Sequence, residues 1–384
     1  MKEDVNVKST RELARKHIKR LKPCVHGGKV WEIERETGLN RKKVVDFSSN
    51  INPLGFSQKA LEAINNNLEQ IPIYPDSNST ALREAIAADF GGIDSNNVVV
   101  GNGSTELIYL FAETFLEKGD VALMPAPTFG EYENAVRKAG GKLRHLKMSK
   151  EFCIEPSLFS GEMKDTKMVF VCNPNNPTGI LTPHEVLIEI IEAALDEGVL
   201  VFLDEDFLGF VDEEKQVSLI DEIDDYPNLF VLRSFTKVYG LTGLRVGYGV
   251  ASEEITKLVS NAKIPWNVNC LAQAAASAAL TDKEHLKKTH KLIKTERAYL
   301  TRELKKIKGF KLYPAYANFV FADIRESGFT SAQLKTKMLE EGILIRDCSS
   351  FRGLDDYYIR VAIKTRQENE MLLEAFMKAV GNSA

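Results

Sequence analysis

The feature that most restricts the fold of this chain is a series of short apolar segments, each followed by a polar loop and then by a helical pattern. Such segments occupy residues 98–100, 120–124, 168–172 and 200–203. Strands that are buried on both faces read as continuous apolar runs and belong to mostly parallel sheets. We therefore expect an α/β fold with a large, open, mostly parallel sheet. Ligands of such sheets bind at the carboxyl ends of the strands.

A single lysine follows another strand-like segment, residues 229–232. Lys237 has the hydroxyl residues Ser234 and Thr236 close to it, and Arg245 follows among glycines. A lysine that captures an aldehyde needs a fixed position and a neighbouring cation. An arginine with two hydroxyls suits a phosphate monoester. Together they suggest pyridoxal phosphate bound to Lys237 as a Schiff base, although an ordinary lysine in a glycine-rich loop is the alternative.

A second glycine-rich turn, residues 101–106, lies between a strand and a helix. The first N–H groups of a helix are free, and the helix dipole favours an anion there. Ser104 and Thr105 add hydroxyl groups to that position. This turn is therefore a candidate for the other half of the phosphate site. A plain helix cap is the competing interpretation.

Three further residues at strand ends are candidates for holding the cofactor ring. Asp204 ends a buried segment, where a carboxylate is costly unless it meets a cation such as a pyridinium nitrogen. Asn176 could donate to the 3-oxygen of the ring, and Phe129 could stack on its face. Alternatively, Asp204 caps the next helix and Phe129 is an ordinary core residue.

Two arginines near the C-terminus suggest an anionic substrate. Arg346 and Arg360 each follow apolar residues in strand-like segments, and arginine binds carboxylate or phosphate as a planar fork. A surface ion pair is the usual role of a single arginine. His26, in a His-Gly-Gly turn, is a third candidate for the substrate site. Tyr74 could reach the cofactor phosphate, across a dimer interface.

Composition excludes several classes of function. The formal net charge is −4, which favours neither nucleic acid nor an anionic membrane. The five cysteines are scattered without metal-ligand spacing, which is typical of reduced cytoplasmic thiols. No segment reads as a signal peptide or a membrane span. We therefore expect a cytoplasmic protein with no metal site.

Domain boundaries follow from a change in composition. After about residue 280 the charge density rises, and helical patterns lead into short strand-like segments typical of a smaller α+β domain. The expected division is an N-terminal arm (1–25), a segment lining the active-site cleft (26–55), a large α/β domain that binds pyridoxal phosphate (56–280) and a small α+β domain (281–384).

The order and spacing of these motifs resemble the fold-type I pyridoxal-phosphate enzymes, over residues 26 to 380, and within them the histidinol-phosphate aminotransferase branch. Two N-terminal elements, residues 26–28 and 46–55, resemble threonine-phosphate decarboxylase. The resemblance implies that Lys237 holds the cofactor and that Asn176 and Asp204 hold its ring. The implied phosphate ligands are Ser104, Thr105, Ser234, Thr236 and Arg245, and the implied substrate contacts are His26, Gly27, Asn50, Asn176, Arg346 and Arg360.

The same resemblance implies a reaction and an assembly. We expect decarboxylation of O-phospho-L-threonine, or of O-phospho-L-serine, to supply the aminopropanol phosphate linker of cobalamin, in a homodimer. A histidinol-phosphate-type aminotransferase is the alternative, and a non-catalytic domain that binds pyridoxal phosphate ranks below both. Phe207 stands where the wider pattern has a tyrosine, so Asn176 would contact the 3-oxygen alone. Asp206 replaces a small residue nearby.

Overall fold

The computed structural model of this protein describes residues 9–212 and 217–381. Short 3-10 turns connect many of its helices and strands. The strands are β1 (Val45–Asp46), β2 (Val98–Gly101), β3 (Val121–Ala126), β4 (Lys142–Lys147), β5 (Met168–Cys172), β6 (Leu200–Asp204), β7 (Leu229–Ser234), β8 (Gly247–Ala251), β9 (Lys311–Leu312), β10 (Phe319–Asp323), β11 (Ile343–Leu344), β12 (Arg346–Asp347) and β13 (Tyr358–Ala362).

The helices cover both faces of a large sheet and one side of a smaller one. They are α1 (Thr10–Leu13), α2 (Val30–Thr37), α3 (Gln58–Asn66), α4 (Thr80–Phe90), α5 (Ser104–Phe115), α6 (Gly130–Ala139), α7 (His184–Asp196), α8 (Glu253–Ala262), α9 (Cys270–Leu280), α10 (Lys283–Leu304), α11 (Ser331–Glu340) and α12 (Arg366–Gly381). No helix in the described ranges is long and apolar enough to cross a membrane.

The large sheet has seven strands in the order β2-β8-β7-β6-β5-β3-β4. β8 runs in the opposite direction to the other six strands, which are parallel to one another. Successive residues of a strand point to opposite faces. Accordingly, Val98 and Val100 of β2 pack into the core beneath α4, α7 and α9, while Val99 packs with α5, α6 and α8. This architecture confirms the expected α/β fold-type I class with a mostly parallel sheet.

The second sheet is built from the C-terminal part of the chain, in the antiparallel order β12-β13-β10-β9. A third pairing joins β1 to β11 in parallel, with Val45 opposite Ile343. The strand-like segment that contains Arg346 is split in the structure, because β11 pairs with β1 while β12 pairs with β13. The N-terminal segment is thus attached to the C-terminal part of the chain. The domain boundaries given above stay a prediction.

Candidate active site

Three neighbouring strands bring the main candidates together. In the register of the large sheet, Cys172 of β5 lies opposite Asp204 of β6, and Asp204 lies opposite Leu232 of β7. The loops that follow β5 and β7 carry Asn176 and Lys237. Because parallel strands end at the same edge of a sheet, these side chains surround one site, as the sequence predicted.

A corner of this site is shaped for close approach of an anion. Gly103 precedes α5 with a φ of 82°, and a Cβ atom there would lie 2.4 Å from Nη2 of Arg245. A Cβ atom on Gly247 would lie 2.6 Å from the backbone nitrogen of Ser104. Glycine at both positions lets the Arg245 guanidinium lie against the first turn of α5. The free N–H groups, dipole and cation of this corner suit a phosphate, and Thr105 is the second residue of the same helix.

The hydroxyl groups of Ser234 and Thr236, which precede Lys237 in the chain, lie next to each other. Ser234 Oγ and Thr236 Oγ1 are 2.5 Å apart, and the Thr236 amide donates to Ser234 Oγ at 2.8 Å. Both residues are buried. The chain then turns through Gly240, whose φ is 70° and whose Cβ would lie 2.4 Å from the carbonyl oxygen of Gly55.

Asp204 is a buried carboxylate with well-defined partners. The Tyr132 hydroxyl donates to its Oδ2 at 2.5 Å, and the Asp206 amide donates to its Oδ1 at 2.9 Å. Burial, and then the charge of Asp206, raise the pKa of Asp204 to about 7, against the opposing hydrogen bond from Tyr132. A cation facing Asp204 would relieve this penalty. The pyridinium nitrogen expected there would be such a cation.

Lys237 is the residue that could form the covalent link. Burial lowers the pKa of its amine below the ordinary lysine value, Arg360 and Arg245 lower it further, and the carboxylates of Asp206 and Asp204 oppose this change. Its Nζ lies 5.4 Å from the centre of the Phe207 ring. A lysine with a depressed pKa is more often neutral, which makes its amine a nucleophile at a lower pH.

Arg346 and Arg360 are cross-strand neighbours on β12 and β13. Arg360 donates to Asn176 Oδ1 through Nη1 and to the Ser48 carbonyl at 3.1 Å through Nη2. Arg346 donates to the carbonyl of Val25 at 2.6 Å. Burial lowers the pKa of Arg360 to about 10. Two buried guanidinium groups side by side repel each other, so an anion between them would be stabilised.

A cavity of about 530 Å³ opens in front of these arginines. Its wall includes Phe129 and Asn176 as well as both guanidinium groups. His26 also lines it, and His26 Nε2 lies 2.7 Å from Glu131 Oε1. Of the expected substrate contacts, five line this cleft, namely His26, Gly27, Asn176, Arg346 and Arg360, whereas Asn50 is not part of its wall. The role of His26 that the structure records is its contact with Glu131.

Residues 26–55 pack tightly against the site. A Cβ atom on Gly27 would lie 2.2 Å from the Ser48 carbonyl oxygen, so only glycine fits there. Asn50 is buried, and its Oδ1 has no hydrogen-bond partner among residues 9–212 and 217–381. Asn52 Nδ2 donates to the Val238 carbonyl at 2.7 Å and to Thr289 Oγ1 at 2.9 Å. Asn52 thus attaches this segment next to the lysine loop.

We predict that Asn52→Ala lowers the free energy of unfolding by about 1–3 kcal/mol, because it leaves a buried carbonyl without its donor. Urea denaturation followed by circular dichroism measures the change. Asn66→Ala, at an exposed position in α3, is the matched control and should stay within about 0.5 kcal/mol of the wild type. Equal stability of the two variants would contradict a structural role for Asn52.

Tyr74 does not join the cluster of site residues in the single chain. Its side chain is 76% exposed and stacks on Trp266, with the ring centres 4.5 Å apart. It lines a different cavity, together with Gln273. A role for Tyr74 at the phosphate therefore requires a second copy of the chain.

Two partners of the site, one aromatic and one acidic, were not predicted from the sequence. The Tyr132 hydroxyl donates a hydrogen bond to Asp204. Glu131 accepts a hydrogen bond from Tyr109 Oη at 2.5 Å and also contacts His26. Burial acts to raise the pKa of Glu131, but the hydrogen bonds from His26 and Tyr109 outweigh it, and the pKa is lowered. Both residues lie in the first turn of α6, which begins at Gly130 directly after Phe129. Their position in the first turn of a helix at a strand end was the signal that could have identified them.

The residues present fit pyridoxal phosphate. Arg245, packed against the first turn of α5, can hold the phosphate, the buried carboxylate of Asp204 can face the ring nitrogen, and Lys237 follows β7 at the same edge of the sheet. Phe129, the residue before α6, lines the cleft. No group of three or more potential metal ligands occurs among the residues that the structure describes.

Comparisons with known proteins relate this chain to aminotransferases. The family model described as aminotransferase class I and II matches residues 42–376. A histidinol-phosphate aminotransferase of Methanothermobacter thermautotrophicus is 35% identical, over 95% of this chain and 97% of its own length. The crystal structure of the histidinol-phosphate aminotransferase from Clostridium acetobutylicum has 32% identity and a TM-score of 0.82, covering 88% of this chain and 99% of that one. The L-threonine-O-3-phosphate decarboxylase from Porphyromonas gingivalis has 28% identity and a TM-score of 0.78, covering 87% of this chain and 99% of that one.

These relatives contradict the expected decarboxylase with a role in cobalamin synthesis. Relatives 35%, 33% and 36% identical are all histidinol-phosphate aminotransferases. The expectation depended on residues 26–28 and 46–55, to which the structure gives packing roles through Gly27 and Asn52. Such contacts hold the chain in place and do not distinguish two reactions that use the same lysine, carboxylate and arginines. The aminotransferase alternative is better supported.

Proposed function

The chain belongs to the aminotransferase class I and II family, and from that premise we propose that it transfers an amino group between L-histidinol phosphate and a 2-oxo acid such as 2-oxoglutarate. Its cofactor is pyridoxal phosphate. The single observation that carries the proposed substrate is the pair of buried guanidinium groups, Arg346 and Arg360, in the cleft beside Lys237. Such a pair suits a substrate with a phosphate or carboxylate close to its amine.

The cofactor, when bound, supplies an electron sink for the bond broken at the substrate carbon. Asp204 holds its carboxylate where a charged ring nitrogen would be stabilised. Lys237 Nζ accepts the proton from the substrate carbon and returns it, since its depressed pKa lets the amine act as a base. Asn176, held by Arg360, would contact the cofactor ring, and the two arginines would orient the substrate.

The two arginines contact different parts of the chain within the cleft, and we assign them different roles. Arg360 is bonded to Asn176 and therefore lies beside the reacting amine. Arg346 contacts Val25 and Ser350, toward the outer wall of the cleft. We propose that Arg346 binds the phosphate of histidinol phosphate. The 2-oxo acid, which lacks a phosphate, would then depend mainly on Arg360.

An assay of amino-group transfer tests the proposal. The purified, cofactor-loaded protein is incubated with L-histidinol phosphate and 2-oxoglutarate, and glutamate is measured. Glutamate should form only when both substrates are present. Carbon dioxide release from O-phospho-L-threonine without a 2-oxo acid, and no glutamate from histidinol phosphate, would overturn the proposal.

We predict that Arg346→Ala raises the KM for histidinol phosphate about 10- to 100-fold, because a charge-assisted hydrogen bond contributes roughly 1.5–3 kcal/mol. Dephosphorylated L-histidinol should be affected far less. Initial rates with both substrates measure this. Arg325→Ala is the control, since Arg325 is already paired with Asp323 at 2.7 Å and should leave both KM values unchanged. An equal loss for both substrates would refute phosphate binding by Arg346.

We also propose that two copies associate. Large apolar side chains are exposed around the Tyr74–Trp266 stack, namely Ile71, Ile73 and Ile264, and an exposed apolar patch of this kind marks an interaction surface. A second copy would cover them. Sedimentation equilibrium at micromolar concentration should give twice the chain mass, and a monomer would contradict the proposal.

A further inference from the structure

An ion pair between α6 and the loop that follows β12 borders the substrate cleft, and the proposed function does not use it. We call this loop, residues 348–354, the rim loop. Arg352 of the rim loop donates to Glu133 of α6 through two nitrogen atoms, from Nε to Oε2 at 3.0 Å and from Nη2 to Oε1 at 2.9 Å. Both side chains line the cleft that contains Arg346 and Arg360. The pair therefore ties the rim loop to the opposite wall of the cleft.

The geometry of this ion pair sets it apart from an ordinary surface pair. Most exposed ion pairs contribute little, and bidentate arginine pairs and charge networks are the exceptions. Glu133 meets both conditions, since its Oε1 also lies 2.6 Å from Arg137 Nη2 and its Oε2 lies 3.3 Å from His145 Nε2. Its side chain is only 16% exposed. The hydrogen bonds with His145 and then with Arg352 outweigh burial and lower the pKa of Glu133 to about 2, so the carboxylate stays charged.

The rim loop also holds Arg346, the arginine assigned to the substrate phosphate. Ser350 Oγ accepts a hydrogen bond from Arg346 Nη2 at 3.1 Å, and the Arg346 guanidinium carbon lies 5.2 Å from the centre of the Phe351 ring. Phe351 in turn packs on a small apolar cluster that includes the buried Cys348. Arg352 is the next residue along the chain. The two residues that contact Arg346 therefore directly precede the residue that is anchored to α6.

The remaining contacts of Arg346 leave part of its guanidinium available. The Val25 carbonyl accepts from the same Nη2 atom at 2.6 Å, and within the described parts of the chain neither Nε nor Nη1 donates a hydrogen bond. Gly353, whose φ is 87°, brings the rim loop against the end of β3, where a Cβ atom would lie 3.6 Å from the Ala126 carbonyl oxygen. A guanidinium that is already oriented loses less conformational freedom when it binds an anion.

We propose that Glu133 and Arg352 are positioning residues, whose ion pair fixes the rim loop and thereby orients the Arg346 guanidinium toward the phosphate of the substrate. This inference rests on the proposed function, because it assumes that Arg346 binds that phosphate. It adds two residues that act through Arg346 and that lie outside the substrate contacts expected from the sequence.

Two substitutions separate positioning from the effect of charge alone. Glu133→Gln removes a negative charge from the cleft, whereas Arg352→Ala removes a positive one. The electrostatic field alone would therefore strengthen anion binding in the first variant and weaken it in the second. Loss of positioning weakens binding in both. We expect each variant to bind the phosphate about five- to tenfold more weakly, while kcat stays within about twofold of the wild type, since the contact is made before and during the reaction alike.

The test combines two measurements on the cofactor-loaded, full-length protein. Isothermal titration calorimetry gives the dissociation constant of inorganic phosphate, and initial rates give the KM for histidinol phosphate. Both constants should rise in Glu133→Gln and in Arg352→Ala. In an Arg346→Ala background neither substitution should raise the KM further, because both act through Arg346. Glu151→Gln, which breaks the exposed pair of Glu151 with Lys311 at 3.4 Å, is the matched control and should change neither constant. Circular dichroism verifies that each variant is folded.

The outcomes separate this inference from the proposed function. Tighter phosphate binding by Glu133→Gln, or unchanged binding by both variants, would overturn the positioning role and leave amino-group transfer intact. A further rise of the same size in the Arg346→Ala background would also overturn it, since the pair would then act independently of Arg346. A wild-type protein that transfers no amino group from histidinol phosphate would instead overturn the proposed function, and the dissociation constants of inorganic phosphate would still decide whether the pair positions Arg346.

Discussion

Lys237→Ala is expected to abolish amino-group transfer and to remove the absorbance of the bound cofactor. The amine of Lys237 is the only group proposed here to form the covalent link, and the same amine moves the proton at the substrate carbon. Loss of a residue with both functions costs at least about 1000-fold in kcat. Glutamate formation and the absorbance spectrum of the reconstituted variant measure the two effects.

Lys263→Ala is the matched control for this prediction. Burial also lowers the pKa of Lys263, but its amine donates to the Ser77 carbonyl at 2.9 Å, outside the predicted site. This variant should keep the absorbance band. A Lys237→Ala protein that retains the band, or a Lys263→Ala protein that loses it, would show that the lysine has been assigned wrongly.

Asp204→Asn is expected to lower kcat about 100- to 1000-fold, because it removes a preorganised charge that faces the reacting system. The amide side chain can accept from the Asp206 backbone amide through Oδ1 and donate to the Tyr132 hydroxyl oxygen through Nδ2, so the fold should be preserved. Steady-state kinetics with both substrates measure the loss. The KM values should change much less than kcat, since the carboxylate stabilises charge that develops during the reaction. A kcat within about twofold of the wild type would contradict the assignment.

The same variant has a signature in the cofactor-free protein. The pKa of Asp204 is about 7 in the folded protein, against an ordinary aspartate value of 3.8, so between these two pH values the folded state binds one more proton than the unfolded state does. The contribution of Asp204 to the free energy of unfolding is therefore greatest below about pH 4. It falls as the pH rises toward 7 and is constant at higher pH. Asp206 contributes in the same direction, since burial raises its pKa too. Asp204→Asn should flatten the dependence of Tm on pH, and an unaltered slope would argue against the raised pKa.

The fold was predictable where burial on both faces makes a strand uniformly apolar. β5 and β6 are of this kind, and both were expected with nearly their observed bounds. β4 was not expected, because only Leu143 and Leu146 of its residues Lys142–Lys147 are apolar and the others are basic. Charged side chains are common on strands at the edge of a sheet, which is where β4 lies. β8 was hidden because its glycines read as part of a loop.

The site was predictable to the extent that its residues lie directly at strand ends. Asp204 and Lys237 meet this condition. Tyr132 and Glu131 lie in α6, whose amphipathic pattern reads as ordinary packing, and their contacts with Asp204 and His26 exist only once the helix has docked. The reaction was predicted wrongly for a related reason. Asn52 belongs to the motif that suggested a decarboxylase, but its side-chain amide donates to the Val238 carbonyl and to Thr289 of α10.

The pairing of β1 with β11 has a consequence for how this protein is made. Val45 leaves the ribosome long before its partner Ile343, which lies far along the chain. The strands of the large sheet, which end at Ala251, can all have emerged long before, and domains generally fold as they are synthesised. β1, which precedes Asn50 and Asn52, therefore has no partner strand while the large sheet forms. A nascent chain can complete its cleft only after Ile343 has emerged.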